Sequence, residues 1–295
     1  WEALRKYANE RGIRIIGDMP IYIAADSADA WANRDMLDKR GRVAGCPPDY
    51  FSPTGQLWGN PVYDWETLKK ACYAWWVRRV AHQISLFDYL RVDHFRGFES
   101  FYAIPEGADT AQEGQWVRGP GIDFFRQLER ELGPLPLIAE DLGYLTPEVS
   151  RLLEQTGYPG LKVLQFAFDP DGESVYLPHR YSRNCVVYTG THDNDTTQGW
   201  YARLSDAEKA FLDEYIGGVQ PERIHWQLIR LAMGSVADVC IIPMQDVLGL
   251  PSEARMNTPQ TAQGNWRWRL IEGQFDEKTA HALARLTALF GRRTR

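Results

Sequence analysis

Three short apolar runs of this chain each lead to an acidic residue that could take part in chemistry. Asp93, Glu140 and Asp193 follow the runs YLRV, LIA and VYTGTH. Unbroken apolar runs are typical of parallel strands that are buried on both faces. In an α/β barrel, the residues that follow such strands converge on one mouth of the barrel. The three acids are therefore predicted to share one small volume, as the cleavage of a glycosidic bond requires.

Two of these acids have neighbours that would give them different protonation states. Arg91 lies two positions before Asp93, so in a strand both side chains point to the same face. A cation there would keep Asp93 ionised, as a nucleophile must be. Asp141 follows Glu140, and a nearby like charge together with partial burial would raise the pKa of Glu140 toward that of a general acid. Retaining glycosidases hold such a nucleophile and such an acid about 5–5.5 Å apart.

The same residues allow other interpretations. Acids at strand ends are also common as ordinary salt-bridge partners and helix caps, and the spacing alone leaves this possibility open. His192 could donate a hydrogen bond to a sugar hydroxyl, but the run His192–Asp195 also offers metal ligands that Asp18, Asp93 and Glu140 could join. This spacing matches neither an HExxH helix nor an EF-hand loop, so we predict no metal and no other cofactor.

The hydrophobic pattern alternates strand, loop and helix along the chain. It predicts strands over residues 14–18, 89–94, 137–140, 161–168, 187–193 and 239–243. It predicts helices over residues 64–87, 123–133 and 221–233, beginning at 147 and at 206, and over 277–289. Such alternation indicates a parallel sheet, and both an open doubly wound sheet and a closed barrel fit it. No GxGxxG follows the first strand and no GxxxxGK[ST] occurs, so nucleotide binding has little support.

Two of the segments between these elements are long. Residues 21–63 are rich in Pro, Gly and aromatic residues, and a loop of this length in a compact domain usually has a function. We interpret it as an ordered lid, and residues 106–121 as a polar, Gly-rich loop. The chain also holds 11 Trp, 14 Tyr and 12 Phe. Most are expected in the core, and a minority in a cleft, because flat rings with a polar edge suit sugars.

Composition argues against several other functions. The 295-residue chain has a net charge of −6 and lacks the basic patch of a nucleic-acid-binding protein; the basic residues of 292–295 are interpreted as a solvated tail. No apolar run is long enough to span a membrane. The four widely spaced cysteines contain no CxxC pair, which predicts reduced thiols and a cytoplasmic location. The chain opens on Trp1 in a helix-like stretch, so we expect it to be part of a longer protein.

Six stretches of the chain carry a resemblance to a known family. They are GDMPIYIA, PPDYFSPTGQLWGNPVYDW, LRVDHFRGF, IAEDLG, YTGTHDNDTT and QDVLGLPSEARMNTPQTAQGNWRWR, between Gly17 and Arg269. These stretches resemble the 4-α-glucanotransferases, or amylomaltases, of the α-amylase superfamily of (β/α)8 barrels. The resemblance implies an α/β fold of the TIM-barrel type. Because the Asp18 motif follows the third barrel strand in that superfamily, it also implies truncation at the N-terminus, with the first two strands missing. Residues 1–295 would then be one partial catalytic barrel domain with a lid-like insertion at about 21–63.

The resemblance also implies roles for individual residues. Asp93 would be the nucleophile, Glu140 the acid/base and Asp193 the stabiliser of the transition state. The residues expected to bind substrate are Asp18, Tyr22, Gln56, Trp58, Arg91, Phe166, His192 and Asn257. The implied activity is the transfer of α-1,4-glucan segments between maltooligosaccharides, with no nucleic-acid or membrane partner. The alternatives are an amylase-type α-glucan hydrolase, which would use the same three acids, and an inactive fragment that only binds glucan.

Overall fold

The structure, a computed structural model, describes residues 1–48, 52–143, 145–259, 261 and 263–293. Residues 49–51 of the predicted lid and residues 294–295 of the predicted tail lie outside this description. The chain divides into two compact units, Trp1–Gly160 and Leu161–Arg295. We call them the first unit and the second unit and describe each by itself.

In the first unit, parallel strands bring the ends of the predicted motifs side by side. Its strands are β1 (Ile16–Met19), β2 (Arg42–Cys46), β3 (Gln56–Pro61), β4 (Tyr89–Val92), β5 (Ser100–Pro105), β6 (Gln115–Arg118) and β7 (Leu137–Ala139). Its helices are α1 (Glu2–Asn9), α2 (Ala28–Ala32), α3 (Trp65–Lys70), α4 (Ala74–Leu86), α5 (Ile122–Leu132) and α6 (Pro147–Thr156). Strand β4 pairs in parallel with β1 on one side and with β7 on the other. In this register Asp18 lies beside Arg91, and Val92 lies beside Ala139. The residues that follow β4 and β7 therefore leave the sheet at the same edge.

A second sheet of the first unit is antiparallel, and the sequence pattern did not predict it. Its strand order is β3-β2-β5-β6. Strands β2 and β3 lie inside the predicted lid segment 21–63. Strand β6 lies inside residues 106–121, so the prediction of a polar, Gly-rich loop over all of those residues is wrong. Most of β6 is exposed, which explains why its sequence QWVR lacks a continuous apolar run. Antiparallel strands with one solvent-exposed face do not show the continuous apolar runs on which the prediction was based.

The predicted helix over residues 64–87 is also wrong in one respect, because it is two helices. α3 ends and α4 begins at Cys72 and Tyr73, both of which have a positive φ, near +50°. The N–H of Tyr73 donates to the carbonyl of Leu68, and that of Cys72 to the carbonyl of Lys69. This is a Schellman ending, in which the left-handed position is usually glycine. Apolar residues keep a helical spacing across the break, so periodicity alone does not reveal it.

We expect Cys72→Gly to stabilise the protein. Cys72 is exposed and occupies the left-handed position of this helix ending, where glycine lacks the steric cost of a Cβ atom. The expected gain in the free energy of unfolding is about 0.5–1 kcal/mol, measured by urea denaturation. Cys72→Ala is the matched control, because it removes the thiol but leaves the Cβ atom, and it should change stability little. A lower urea midpoint for the glycine variant would contradict this explanation.

The core of the first unit is built largely from aromatic rings. Trp76, Phe98 and Phe124 are fully buried, and the ring centroids of Trp76 and Phe124 are 5.2 Å apart. Phe98 stacks on Phe124 at 4.9 Å. Buried aromatic pairs in offset or edge contact stabilise a core beyond the area that they bury. Phe98 closes the turn that follows β4, so this cluster supports the residues around Asp93.

The second unit follows the predicted order more closely. Its elements are β8, which begins at the last residue of the first unit (Gly160–Val163), β9 (Cys185–Tyr188), β10 (Val239–Ile241), α7 (Thr197–Arg203), α8 (Asp206–Ile216), α9 (Ile224–Gly234), α10 (Met244–Val247) and α11 (Glu277–Leu289). β9 and β10 pair in parallel. The helix predicted to begin at 206 and the final helix are confirmed, and Ser205 and Glu208 form a capping box at the start of the former. The predicted strand over residues 161–168 is too long, because Leu164–Phe166 forms a 3-10 turn.

The fold class is thus α/β, with parallel strands connected through helices in each unit. Among the described residues no helix combines the length and the apolar character that membrane crossing requires. All four cysteines lie in the described part of the chain, and none of them forms a disulfide bond.

Candidate active site

The centre of the first unit's polar cluster is a buried arginine. The side chain of Arg91, at the end of β4, is 10% exposed. Its Nη1 lies 2.6 Å from Oδ1 of Asp18 and 2.9 Å from Oδ1 of Asp93. The two carboxylates are four to five times more exposed than the arginine, at 46% and 41%. The guanidinium therefore holds two acids from neighbouring strands side by side, on a surface that a ligand can reach.

The charge of this arginine is firmly fixed. Burial by itself would lower the pKa of Arg91, but the negative charges of Asp93, Asp18 and Glu140 more than offset it and hold that pKa above its ordinary range. The two carboxylates that Arg91 contacts therefore face a permanent positive charge. Asp93 thus lies on an accessible surface, paired with this fixed cation.

Glu140, which follows β7, sits in a different environment. Its Oε2 accepts a hydrogen bond from the backbone N–H of His94 at 2.7 Å, and its Oε1 accepts one from that of Leu142 at 2.9 Å. Burial, together with the negative charge of Asp93, raises the pKa of Glu140 to about 7, although Arg91 and the two backbone donors oppose this rise. One carboxyl group of the cluster can therefore carry a proton near neutral pH while its neighbour is ionised.

His94 links these acids to the aromatic residues of the segment 21–63. It has a left-handed backbone with φ +50°, which turns its N–H toward Glu140. Burial, with a smaller effect of Arg96, lowers the pKa of His94 to about 3, so the imidazole is neutral. Its ring makes an edge contact with Trp58 at 4.9 Å between centroids. Nε2 of His94 is buried and has no hydrogen-bond partner among the described residues.

Trp58 in turn connects to the two other residues that were predicted in this segment. Its Nε1 donates to Oε1 of Gln56 at 3.1 Å, and its ring centroid lies 6.3 Å from that of Tyr22. The structure therefore brings together every predicted site residue of the first unit. They are Asp18, Tyr22, Gln56, Trp58, Arg91, Asp93 and Glu140. The contribution of the His94 backbone was missed, because no side-chain pattern signals a left-handed turn at a residue other than glycine.

In the second unit, Asp193 is the centre of another polar cluster. Its Oδ2 lies 3.4 Å from Nε2 of His192, and its Oδ1 accepts a hydrogen bond from the side-chain amide of Asn257. The backbone N–H of Asn257 donates to the carbonyl of His192 at 3.0 Å. Arg255, which no sequence pattern singled out, donates to the backbone carbonyls of Asp193 and Asn257. The three predicted residues of this cluster, His192, Asp193 and Asn257, thus contact one another.

Buried carboxylates fix the loop that carries Asp193. Asp246 is 1% exposed and accepts hydrogen bonds from the hydroxyl of Thr189 and the backbone N–H of Thr197. Burial raises the pKa of Asp246, and those two donors oppose the rise. Asp195 accepts from Ser252 and pairs with Arg203. These supports were missed because a buried acid and an exposed acid look alike in a sequence.

Phe166 is the remaining predicted site residue of the second unit. It lies in the 3-10 turn after β8 and is 44% exposed. Among the described residues its ring contacts Tyr176, with 5.6 Å between centroids, and it makes no ring contact with His192. Over the same residues, no three His, Cys, Asp or Glu side chains are grouped as a metal site.

The first unit's cluster holds an accessible carboxylate paired with arginine beside a carboxyl group whose pKa is near 7, at the ends of parallel strands. Chemistry at a glycosidic bond uses two carboxyl groups in opposite protonation states. The family model described as 4-alpha-glucanotransferase matches residues 1–273. The chain belongs to this family.

Individual relatives agree with this assignment. The 4-alpha-glucanotransferase of Synechocystis is 52% identical over 99% of this chain and 60% of its own length. That of Thermus thermophilus is 49% identical over 98% of this chain and 60% of its own length. A solved amylomaltase from Streptococcus agalactiae, in complex with acarbose, superposes with a TM-score of 0.96 at 40% identity and covers all of this chain and 61% of that one. The chain thus spans about three fifths of the length of the relatives that it matches.

Proposed function

We propose that this chain transfers α-1,4-glucan segments between maltooligosaccharides by a retaining double displacement. The observation that carries the proposal is the arrangement around Arg91. It pairs with accessible Asp93, while burial and the charge of Asp93 raise the pKa of neighbouring Glu140 to about 7. A nucleophile and a general acid require these two opposite protonation states at the same pH.

The proposed reaction has two steps. In the first, an oxygen of Asp93 attacks the anomeric carbon, the bond from that carbon to the glycosidic oxygen breaks, and Glu140 gives its proton to the departing oxygen. In the second, the 4-hydroxyl of an acceptor glucan attacks the same carbon and gives its proton to Glu140, and the bond to Asp93 breaks. Each step inverts the carbon, so the product keeps the α-linkage.

The remaining predicted residues receive supporting roles in this proposal. Asp193 stabilises the positive charge that develops on the sugar ring in both steps. The proposed sugar contacts are Asp18, Tyr22, Gln56, Trp58, Arg91, Phe166, His192 and Asn257. The parallel strands would belong to a (β/α)8 barrel, in which segment 21–63 acts as the lid. The proposed partners are maltooligosaccharides or other α-1,4-glucans, and four cysteines outside any disulfide agree with the proposed cytoplasmic location.

The second candidate function is hydrolysis of the same glucans. It would use the same first step, with water instead of a sugar as the acceptor. The aromatic contacts of Trp58 with His94 and Tyr22 favour transfer, because a lid over the acceptor side excludes water and holds the incoming glucan.

Incubation of the 295-residue chain with pure maltotriose, followed by separation of the products by size, tests the proposal. Glucose together with maltopentaose and longer chains is the expected result. Glucose and maltose without longer products would replace transfer by hydrolysis. A chain that circular dichroism shows to be folded, and that forms no product, would contradict both functions and leave a glucan-binding protein.

The rate of transfer is expected to fall above neutral pH. Glu140 must be protonated to act as the acid, and its pKa is about 7. The acid form is therefore complete well below pH 7 and is lost as the pH rises through that value. We expect kcat/KM for maltotriose to fall about tenfold for each pH unit above this point. A profile that stays flat from pH 6 to pH 9 would show that Glu140 is not the acid.

A further inference from the structure

Trp266 adopts a conformation that a bulky residue rarely takes. Its φ is +60°, in the left-handed region that favours glycine. The backbone N–H of Trp266 donates to the carbonyl of Met256 at 2.8 Å, which holds the residue in place. Next to it, Asn265 accepts from the N–H of Thr258 and donates to the carbonyl of Thr261. These hydrogen bonds thus hold Trp266 in an unfavourable backbone conformation. Such strain tends to persist where a side chain serves a function.

The strained backbone does not bury the Trp266 ring. The residue is 54% exposed, although tryptophan is among the side chains that gain most from burial. Among the described residues its ring contacts that of His192, at 5.2 Å between centroids and 38° between planes. His192 lies next to the carboxylate of Asp193, to which Asn257 donates. An exposed aromatic face therefore stands beside a group of hydrogen-bonding side chains.

We propose that the Trp266 ring is a stacking platform for a glucosyl unit of the bound α-glucan. A glucosyl unit has an apolar ring face and a hydroxyl edge, so its face would pack on the indole while its hydroxyls meet the polar groups around Asp193. The platform rests on the proposed function, which supplies the ligand class. It adds a binding residue and explains why this position holds tryptophan and not the glycine that its backbone favours.

Substitution of Trp266 by glycine tests the platform, because glycine removes the ring and also relieves the backbone. The probe is maltotriose, titrated at equilibrium in an Asp93→Asn background, where turnover does not interfere. We expect Trp266→Gly to raise the Kd for maltotriose about tenfold, which corresponds to about 1.4 kcal/mol. Trp266→Phe keeps a smaller ring and should raise the Kd only about threefold. The urea midpoint of the glycine variant should stay unchanged or rise.

Trp1→Gly is the matched control, since Trp1 is 53% exposed and lies at the start of α1. It should leave the Kd for maltotriose unchanged. A Kd for Trp266→Gly within twofold of the parent would overturn the platform. In the active chain, a fall in kcat with an unchanged KM would also overturn it, because the ring would then act by positioning His192.

The outcome separates this inference from the proposed function. Suppose that maltotriose gives no products longer than itself, but that Trp266→Gly still weakens the binding of maltotriose tenfold. The platform then stands and the transfer reaction fails. If transfer occurs and both Trp266 variants bind maltotriose like the parent, the platform alone fails. Quenching of tryptophan fluorescence by maltotriose gives a second readout, since the difference between the parent and Trp266→Phe reports on this ring.

Discussion

Asp93→Asn is expected to lower the rate of transfer from maltotriose by roughly 10⁴-fold or more. The amide keeps the shape of the carboxylate but cannot form the glycosyl ester, because it lacks the negative charge that attacks the anomeric carbon. Arg91 retains its contact with Asp18, so the variant should fold. The measurement is the initial rate of formation of maltopentaose, with circular dichroism as the check on folding.

Asp18→Asn is the matched control for this substitution. Asp18 contacts the same Nη1 of Arg91 and has nearly the same exposure as Asp93. This substitution removes the same charge from beside the same cation. In the proposed reaction, however, Asp18 forms no covalent bond to the sugar. We therefore expect a loss of about 10- to 100-fold, from a misplaced Arg91 and a weaker sugar contact. Equal losses in the two variants would mean that Asp93 acts through charge alone and that the assignment of the nucleophile is wrong.

Glu140→Gln is expected to lower the same rate by roughly 10²–10⁴-fold, the usual contribution of a general acid. The single amide oxygen of glutamine can replace only one of the two carboxylate oxygens that accept from the N–H groups of His94 and Leu142, and glutamine has no acidic proton to give to the leaving oxygen. The first step should recover when the leaving group needs no proton. α-Maltosyl fluoride offers such a leaving group, and its release of fluoride should be nearly normal in this variant.

The pH dependence provides a second check on Glu140. The decline in kcat/KM above pH 7 should be absent when Glu140→Gln acts on α-maltosyl fluoride, because the group with a pKa of about 7 has been removed. If the variant is as slow on the fluoride as on maltotriose, then Glu140 has a role other than proton donation. In that case the raised pKa would reflect structure and not catalysis.

The relation between Arg91 and its two acids was largely predictable from the chain. Side chains two positions apart in a strand share a face, which is enough to place Arg91 with Asp93. Parallel strands end at one edge, which is enough to place Asp18 and Glu140 near them. These predictions worked because they depend on the period of the strand and on the direction of pairing. Both properties are local or nearly so, and a sequence records them.

The break between α3 and α4, the antiparallel sheet β3-β2-β5-β6 and the backbone contacts of Glu140 were not predictable in this way. Tyr73 and His94 adopt left-handed backbones that their residue types do not indicate. The pairing of β2 with β5 joins residues about 60 positions apart, so it is not a local property of the sequence. Such features depend on which surfaces meet after the chain has folded.

The sequence by itself determined the fold class, the family and the identity of the acids at the strand ends. The sequence also predicted that Asp93 and Glu140 differ in protonation, but it attributed the raised pKa of Glu140 to Asp141, and only the tertiary structure identified the causes. Glu140 acquires a pKa of about 7 from burial and from Asp93, while Asp93 and Asp18 share a buried arginine. Asp246 is an equally acidic residue type, yet it lies buried under a loop as a hydrogen-bond acceptor. The protonation and the role of a carboxyl group depend on its solvation and on nearby charges, and folding alone creates both.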